Sequence, residues 1–472
     1  MTRQTLALLS VFTWLAGCAT DDLQRHAQDT QSFARNTFQA DAALHADDNA
    51  RQRSRDAAKA MLARGPLSQD DAVRVALLHA PSFQAMLAES TREAADAARL
   101  SRPSNPVFTF ERLVRREHGE VDLDIGRLLS VSILEWLTWP QRHEASTAMA
   151  ERARLNAAGA SVDAAREARE AWVRAVAAGQ ALLYFEQVMD AAEASAELAK
   201  RMYQAGNFSR LQRARQHAFY ADAAVQLTRA RQGVLATREA LVRTLGLDSS
   251  LAGSLTLPPR LPDPPVEARR EASTAQTAMQ QRIDVAMAQA GLKAQAARLG
   301  FETPSSFVNA FHVAAARNSE TGKPPQRGYE LEIALPLFDF GNAQRAGARA
   351  AYLAALNRAA QTVVDAESRV REHYAAYRAA HDLALHYRLE IVPLRKSIAD
   401  ETLLKYNGML TGVFDLLAES RTQIASVIQA IETERDFWLA DAALSATLLG
   451  RPVSGSGLTA ASAAASDSGP AH

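Results

Sequence analysis

A disulfide framework is impossible in this chain, because its 472 residues contain a single cysteine, Cys18. The same scarcity excludes a cysteine-based zinc site. Neither charge is in surplus: 53 basic residues balance 53 acidic ones. Gripping a phosphate backbone would require a basic excess, so nucleic acid is not expected as a partner. Aromatic residues make up only 6% of the chain, sparse material for an aromatic-lined catalytic cleft. H-E-x-x-H, G-x-S-x-G and P-loop patterns are all missing, so the chain is read as a non-enzyme without a cofactor. His373, His381 and His386 do not share a helical face at about 100° per residue, so no metal site is expected there.

What the chain does contain, it contains twice. Leu129-Ser130-Val131-Ser132-Ile133 recurs as Leu331-Glu332-Ile333-Ala334-Leu335, about 202 residues on. Met202-Tyr203-Gln204-Ala205-Gly206 recurs near Lys405-Tyr406-Asn407-Gly408-Met409. The halves close on Thr244-Leu245-Gly246 and Leu448-Leu449-Gly450. One structural unit has been duplicated.

Each unit reads as helix, strand pair, very long helix, turn and returning helix. The first helix begins at the cap-like Ser68 and runs toward Leu100. Val121, Leu123, Ile125, Leu129, Val131 and Ile133 then alternate with Asp122, Asp124, Gly126, Ser130 and Ser132. Period two with one apolar and one polar face predicts a strand. In the second unit Tyr329, Leu331, Ile333, Leu335 and Leu337 alternate with Gly328, Glu330, Glu332 and Ala334. Partner strands are expected around Val107–Leu113 and Phe307–Val313, with turns at Arg115–Gly119 and Asn318–Pro325.

Helices follow over about 141–202 and 343–406, roughly 60 residues or on the order of 90 Å each. Scattered Arg and Glu leave them without an uncharged run of membrane-spanning length, so they are not spans but coiled-coil-like rods. Pro393 is expected to bend the second one locally. At the far ends, Gly206, Gly408 and Gly412 are expected to supply positive φ, and Ser209 and Asp415 to cap the returning helices.

The N-terminus carries Arg3, an apolar stretch from Leu6 to Trp14, and Leu15-Ala16-Gly17-Cys18. It resembles a bacterial lipoprotein signal in which residues 1–17 are removed and Cys18 carries the lipid, palmitate included. More than one acyl chain would anchor the protein stably. Residues 18–66 form a polar N-terminal segment expected to lie along the outside of the body. Residues 257–272 form a proline-rich linker between the repeats 67–256 and 273–452, and the Ser- and Ala-rich tail 453–472 is expected to be disordered.

Four strands cannot close a membrane barrel, whose smallest closed forms need about eight. The strands either make a small exposed sheet or are pooled by several chains, and their apolar faces favour pooling in a bilayer. Asp122, Asp124, Glu330 and Glu332 would then line the pore and bias it toward cations.

From about Leu67 to Gly450 the chain resembles the TolC-like outer-membrane efflux proteins. Leu67-Ser68-Gln69-Asp70-Asp71-Ala72-Val73, with Ala76-Leu77 and Ala80-Pro81, is similar to the family's opening segment. Leu335-Pro336-Leu337-Phe338-Asp339-Phe340-Gly341 is similar to its strand-to-helix junction. Tyr203 to Ser209 and Tyr406 to Leu417 resemble its paired turns. The first unit departs in having Trp139-Pro140 in place of the junction glycine. It also lacks the acidic residue that Asp415 supplies in the second.

The resemblance implies a mainly α fold with a membrane β part: a homotrimer whose twelve-stranded outer-membrane barrel continues as a periplasmic α-helical barrel. Tyr203, Gly206, Asn207, Ser209 and Leu211, with Tyr406, Gly408, Gly412, Asp415 and Leu416, would form tips that meet a periplasmic membrane-fusion adaptor. An inner-membrane efflux pump would supply the energy, and this chain, held in outer-membrane lipid, the exit duct. The rival expectation is a non-channel periplasmic helical structural or adaptor lipoprotein.

Overall fold

In the computed structural model, residues 24–117, 120–270, 282–305, 310–334 and 340–452 are described. Cys18, the tail 453–472 and most of the Leu335–Gly341 junction therefore lie outside the described residues. The chain forms two compact units. One draws on 1–29, 88–157 and 283–365, and the other on 30–87, 158–282 and 366–472. Each sequence repeat contributes to both units, so duplication and compaction divide the chain differently.

The first unit holds the sheet. Helix α4 (Pro81–Leu100) leads to β1 (Val107–Glu117) and β2 (Glu120–Ser132), and α9 (Ile283–Ser305) leads to β3 (Phe311–Glu320) and β4 (Gln326–Ile333). All neighbours are antiparallel in the order β1-β2-β3-β4, so the two hairpins pair through β2 and β3. Strands β1 and β3 extend beyond the sequence expectation, and β3 starts four residues later because α9 runs on to Ser305. Ile133, expected on the strand, instead opens the short helix α5 (Ile133–Leu137).

After α5 the chain enters α6 (Trp139–Gln204), 66 residues long. Its start is held by side chains rather than by a glycine turn. Trp139 Nε1 donates to Ser101 O at 2.8 Å, and Ser146 Oγ donates to Ala97 O at 2.7 Å. In the second repeat Gly341 takes φ +70° at the matching place, a conformation glycine adopts without a Cβ penalty.

The second unit is helical. The expected first helix is two helices, α3 (Gln69–His79) and α4, because Ala80 turns extended (ψ 123°) before Pro81. A residue preceding proline is pushed out of the α region, and proline is well placed at a helix start. Ser68 caps α3 through Asp71 N at 3.1 Å. Two further helices, α1 (24–38) and α2 (Asp48–Leu62), precede it. The return helices are α7 (Arg210–Leu245), followed by the single turn α8 (Ser249–Ala252), and α12 (Val413–Leu448).

Both long return helices end alike. Gly246 and Gly450 have φ +69° and +85°. Leu247 N reaches Val242 O at 3.0 Å and Arg451 N reaches Ala446 O at 2.9 Å, the six-to-one bond of a Schellman end. The second long rod is α10 (Asn342–His386), a π turn at Tyr387–Ile391, then α11 (Val392–Asn407). Pro393 has no N–H and its ring crowds the carbonyl four residues back, so the ladder widens to i→i+5 immediately before it.

Alanine is abundant at buried positions of α6, including Ala160, Ala165, Ala168 and Ala175, with Trp172 2% exposed among them. Its indole donates to Leu67 O at 2.8 Å. Tyr377, Phe437, Ala380, Ala384 and Leu444 form a second cluster. The proline-rich segment, expected as a stiff linker between the repeats, packs along these helices. Proline removes backbone donors but leaves carbonyls. Trp438 Nε1 donates to Pro262 O at 2.9 Å, and His381 Nε2 contacts Pro265 O at 2.8 Å. Leu261 is 1% exposed and Asp263 pairs with Arg388 at 2.5 Å. Among the described residues no group of three metal-ligating side chains occurs, and no helix is long and apolar enough to cross a membrane.

Candidate functional sites: the sheet and the helix tips

Residues directly opposite in an antiparallel ladder lie on the same face. The register places Asp122 opposite Arg115, Asp124 opposite Glu320, and Glu330 and Glu332 opposite Ala314 and His312. All four acids anticipated from sequence therefore share one face. Glu111, opposite Gly126, joins them. Glu320 is bonded to Lys323 at 2.8 Å in the β3–β4 turn.

The other face is apolar over its helix-proximal half. Phe108, Leu129, Ala315 and Tyr329 form one lateral row, and Val131, Val313 and Leu331 the next, followed by Phe311 with Ile333. Tyr329 is 84% exposed and Phe108 62% exposed. Trp136 and Trp139, on the helices that follow β2, are 61% and 44% exposed. The sequence pattern did not disclose a row of arginines, Arg127, Arg317 and Arg327, on this same face. Strand alternation gives the two faces, but only the register brings these three together.

In the second unit, the first helix turn is closed by Gly206 at φ +79°. Gly206 N bonds Tyr203 O at 3.1 Å and Asn207 N bonds Met202 O at 2.9 Å. Ser209 and Gln212 form a reciprocal capping box at 3.2 and 2.6 Å. The Arg213 guanidinium lies 4.4 Å from the centre of the Tyr203 ring, tying the two arms. Leu211 is 62% exposed.

The second turn uses the same hydrogen-bond pattern, Met409 N to Tyr406 O and Leu410 N to Lys405 O, without glycine at the left-handed position. Here the expectation fails. Gly408 has φ −81° and Gly412 φ −83°, while Met409 takes φ +59°. Asp415 is not the cap. Gly412 is, with no side-chain bond, and Asp415 Oδ2 accepts from Thr411 Oγ1 at 2.7 Å. Met409 and Leu410, 94% and 80% exposed, are the apolar groups this tip presents. Leu416 is half-buried, and Tyr203 and Tyr406 are each 37% exposed.

A duplicated strand pair closing a four-stranded sheet, a long helix after each pair and a capped turn at each far end together specify an architecture. Solved structures share it. CusC, described for conformational changes accompanying folding and transmembrane channel formation, aligns with TM-score 0.70 at 12% identity over 82% of this chain and 92% of its own. The Vibrio cholerae outer membrane protein VceC gives 0.65 at 16% over 81% and 96%. The Campylobacter jejuni CmeC outer membrane channel gives 0.64 at 14% over 84% and 86%. The chain has the TolC-like outer-membrane channel fold. No sequence-family model and no curated protein matches it.

Proposed function

We propose that the chain is the outer-membrane exit duct of a tripartite efflux system, acting as a homotrimer. The observation that carries this reading is the sheet. It has two unpaired edges, β1 and β4, an acidic face and an apolar face. Open edges are not tolerated in hydrocarbon, so β1 of one chain pairs with β4 of the next until the cylinder closes. Three chains give twelve strands, with Asp122, Asp124, Glu330 and Glu332 on the wet interior. Helical surfaces left open in the single chain support the same assembly: Leu235, Val364, Leu389 and Leu404 are each more than 60% exposed.

The turns at Tyr203–Leu211 and Tyr406–Leu416 are the periplasmic tips. They meet a membrane-fusion adaptor, which couples the duct to an inner-membrane pump. Tyr203, Gly206, Asn207, Ser209 and Leu211 form one contact surface and Tyr406, Gly408, Gly412, Asp415 and Leu416 the other, to which Met409 and Leu410 are added. Cys18 carries the acyl anchor, and Cys18→Ala lowers membrane retention while the helical body still folds.

Purified protein reconstituted in planar bilayers tests the duct. Discrete conductance steps from a species whose mass equals three chains support it. A monomer that inserts without conducting, even with its tips opened by mutation, refutes it.

A further inference from the structure

The lateral row Arg127–Arg317–Arg327 is the unexpected feature of the apolar face. The three are direct cross-strand neighbours on β2, β3 and β4, with Phe110 completing the row on β1. Arg112, opposite Ile125, lies one row nearer the hairpin turns on the same face. Like charges directly opposite in a sheet repel. Nothing on the face relieves them. The carboxylates Glu111, Asp122, Asp124, Glu320, Glu330 and Glu332 all take the other face. None of the three arginines makes an ion pair with a described residue.

We propose that this row binds the phosphate groups of anionic lipid headgroups in the outer leaflet. The inference rests on the sheet being the membrane element, as proposed above. Three observations then converge on a headgroup. Arginines facing hydrocarbon are strongly disfavoured near the bilayer centre and tolerated at its edge. The row contains Phe110 and adjoins the row of Phe108 and Tyr329, aromatics of the kind that mark an interface; it ends the wholly apolar rows, and nearer the turns the same face mixes Ile125, Val114, Leu123 and Val121 with Arg112, Arg116 and Ser319. Its level is thus the outer boundary. Finally, three guanidinium groups on strands about 4.8 Å apart span roughly 10 Å, room for a headgroup with two phosphates. Each fork can take phosphate oxygens pairwise, which a lysine cannot. A closed trimer would carry three such rows.

The test uses the full-length trimer in detergent. Retention of diphosphoryl lipid A is followed by native mass spectrometry, with monophosphoryl lipid A and inorganic phosphate as comparison ligands. The expected result is preference for the diphosphoryl lipid. The preference should weaken about tenfold in Arg127→Gln/Arg317→Gln/Arg327→Gln and fall less in the matching triple Lys variant. If the triple variant does not assemble, single Arg317→Gln and the two lipids on the unaltered protein decide the matter.

Equal retention of both lipids, or unchanged binding in the Gln variants, overturns the inference. So does inorganic phosphate competing at the same concentration as the lipid. Conductance distinguishes the two levels. A conducting trimer indifferent to the headgroup phosphates overturns this inference alone, whereas a protein that neither trimerises nor conducts overturns the duct as well.

Discussion

Asp124 and Glu320 face each other directly across the β2–β3 ladder, two carboxylates in register. Lys323 holds Glu320 at 2.8 Å, and Asp122, Glu330 and Glu332 sit on the same face with no matching excess of bases. Such a surface lowers its own repulsion by collecting cations. The proposed duct is expected to prefer cations. Replacing Asp122 and Asp124 by Asn, and Glu330 and Glu332 by Gln, should move the reversal potential in a salt gradient toward zero. An unchanged potential would remove these residues from the pore.

Met409 occupies the position that Gly206 fills in the first repeat, with φ +59° against +79°. A side chain in the left-handed region costs about 1 kcal/mol that glycine does not. Met409→Gly should therefore raise stability by about that amount, seen as a higher denaturation midpoint. If the strain is kept for the exposed apolar side chain, the same variant loses adaptor affinity in a pull-down. Gly206→Met is the reciprocal change and should destabilise by about 1 kcal/mol.

Gly246 has two reasons to be glycine. It takes φ +69°, and a Cβ there would overlap the ring Cδ of Pro81. Backbone cost and overpacking together make Gly246→Ala destabilising by about 2–4 kcal/mol. Gly233, helical and with open space where a Cβ would stand, is the control. Gly233→Ala should be neutral or stabilising by up to about 1 kcal/mol.

Glu434 is half-buried, and this desolvation holds its carboxyl above the ordinary value of 4.5, against the hydrogen bond from Gln180 and the charge of Arg388. The native state thus binds this proton more tightly than the unfolded chain, and ionised Glu434 lowers stability at neutral pH. Glu434→Gln should be more stable than the parent at neutral pH. The advantage should shrink as pH falls through the raised native pKa toward 4.5. Chemical denaturation of both proteins across this range checks the sign.

Duplication, strand alternation and the Ser209 cap were legible because each is a local pattern with one physical cause. The strand period put Asp122 and Asp124 on one face and Leu123 and Leu129 on the other, and the ladder agrees. What was hidden depended on register or packing. Arg127, Arg317 and Arg327 are far apart in sequence and meet only through two ladders. Met409 carries the turn because its hydrogen bonds fix the left-handed position by spacing, and Gly408 falls one residue short of it. The packing of the proline-rich segment was hidden too. Its carbonyls, taken up by Trp438 and His381, leave no trace in hydrophobic periodicity.

Spin labels on adjacent residues of β4 test the pooled-barrel account most directly, in protein reconstituted in lipid with Cys18 replaced by serine. Leu331→Cys is expected to give a label relaxed by oxygen dissolved in the acyl chains, and Glu330→Cys one relaxed by a water-soluble nickel complex. Equal, water-like accessibility at both positions would contradict the account.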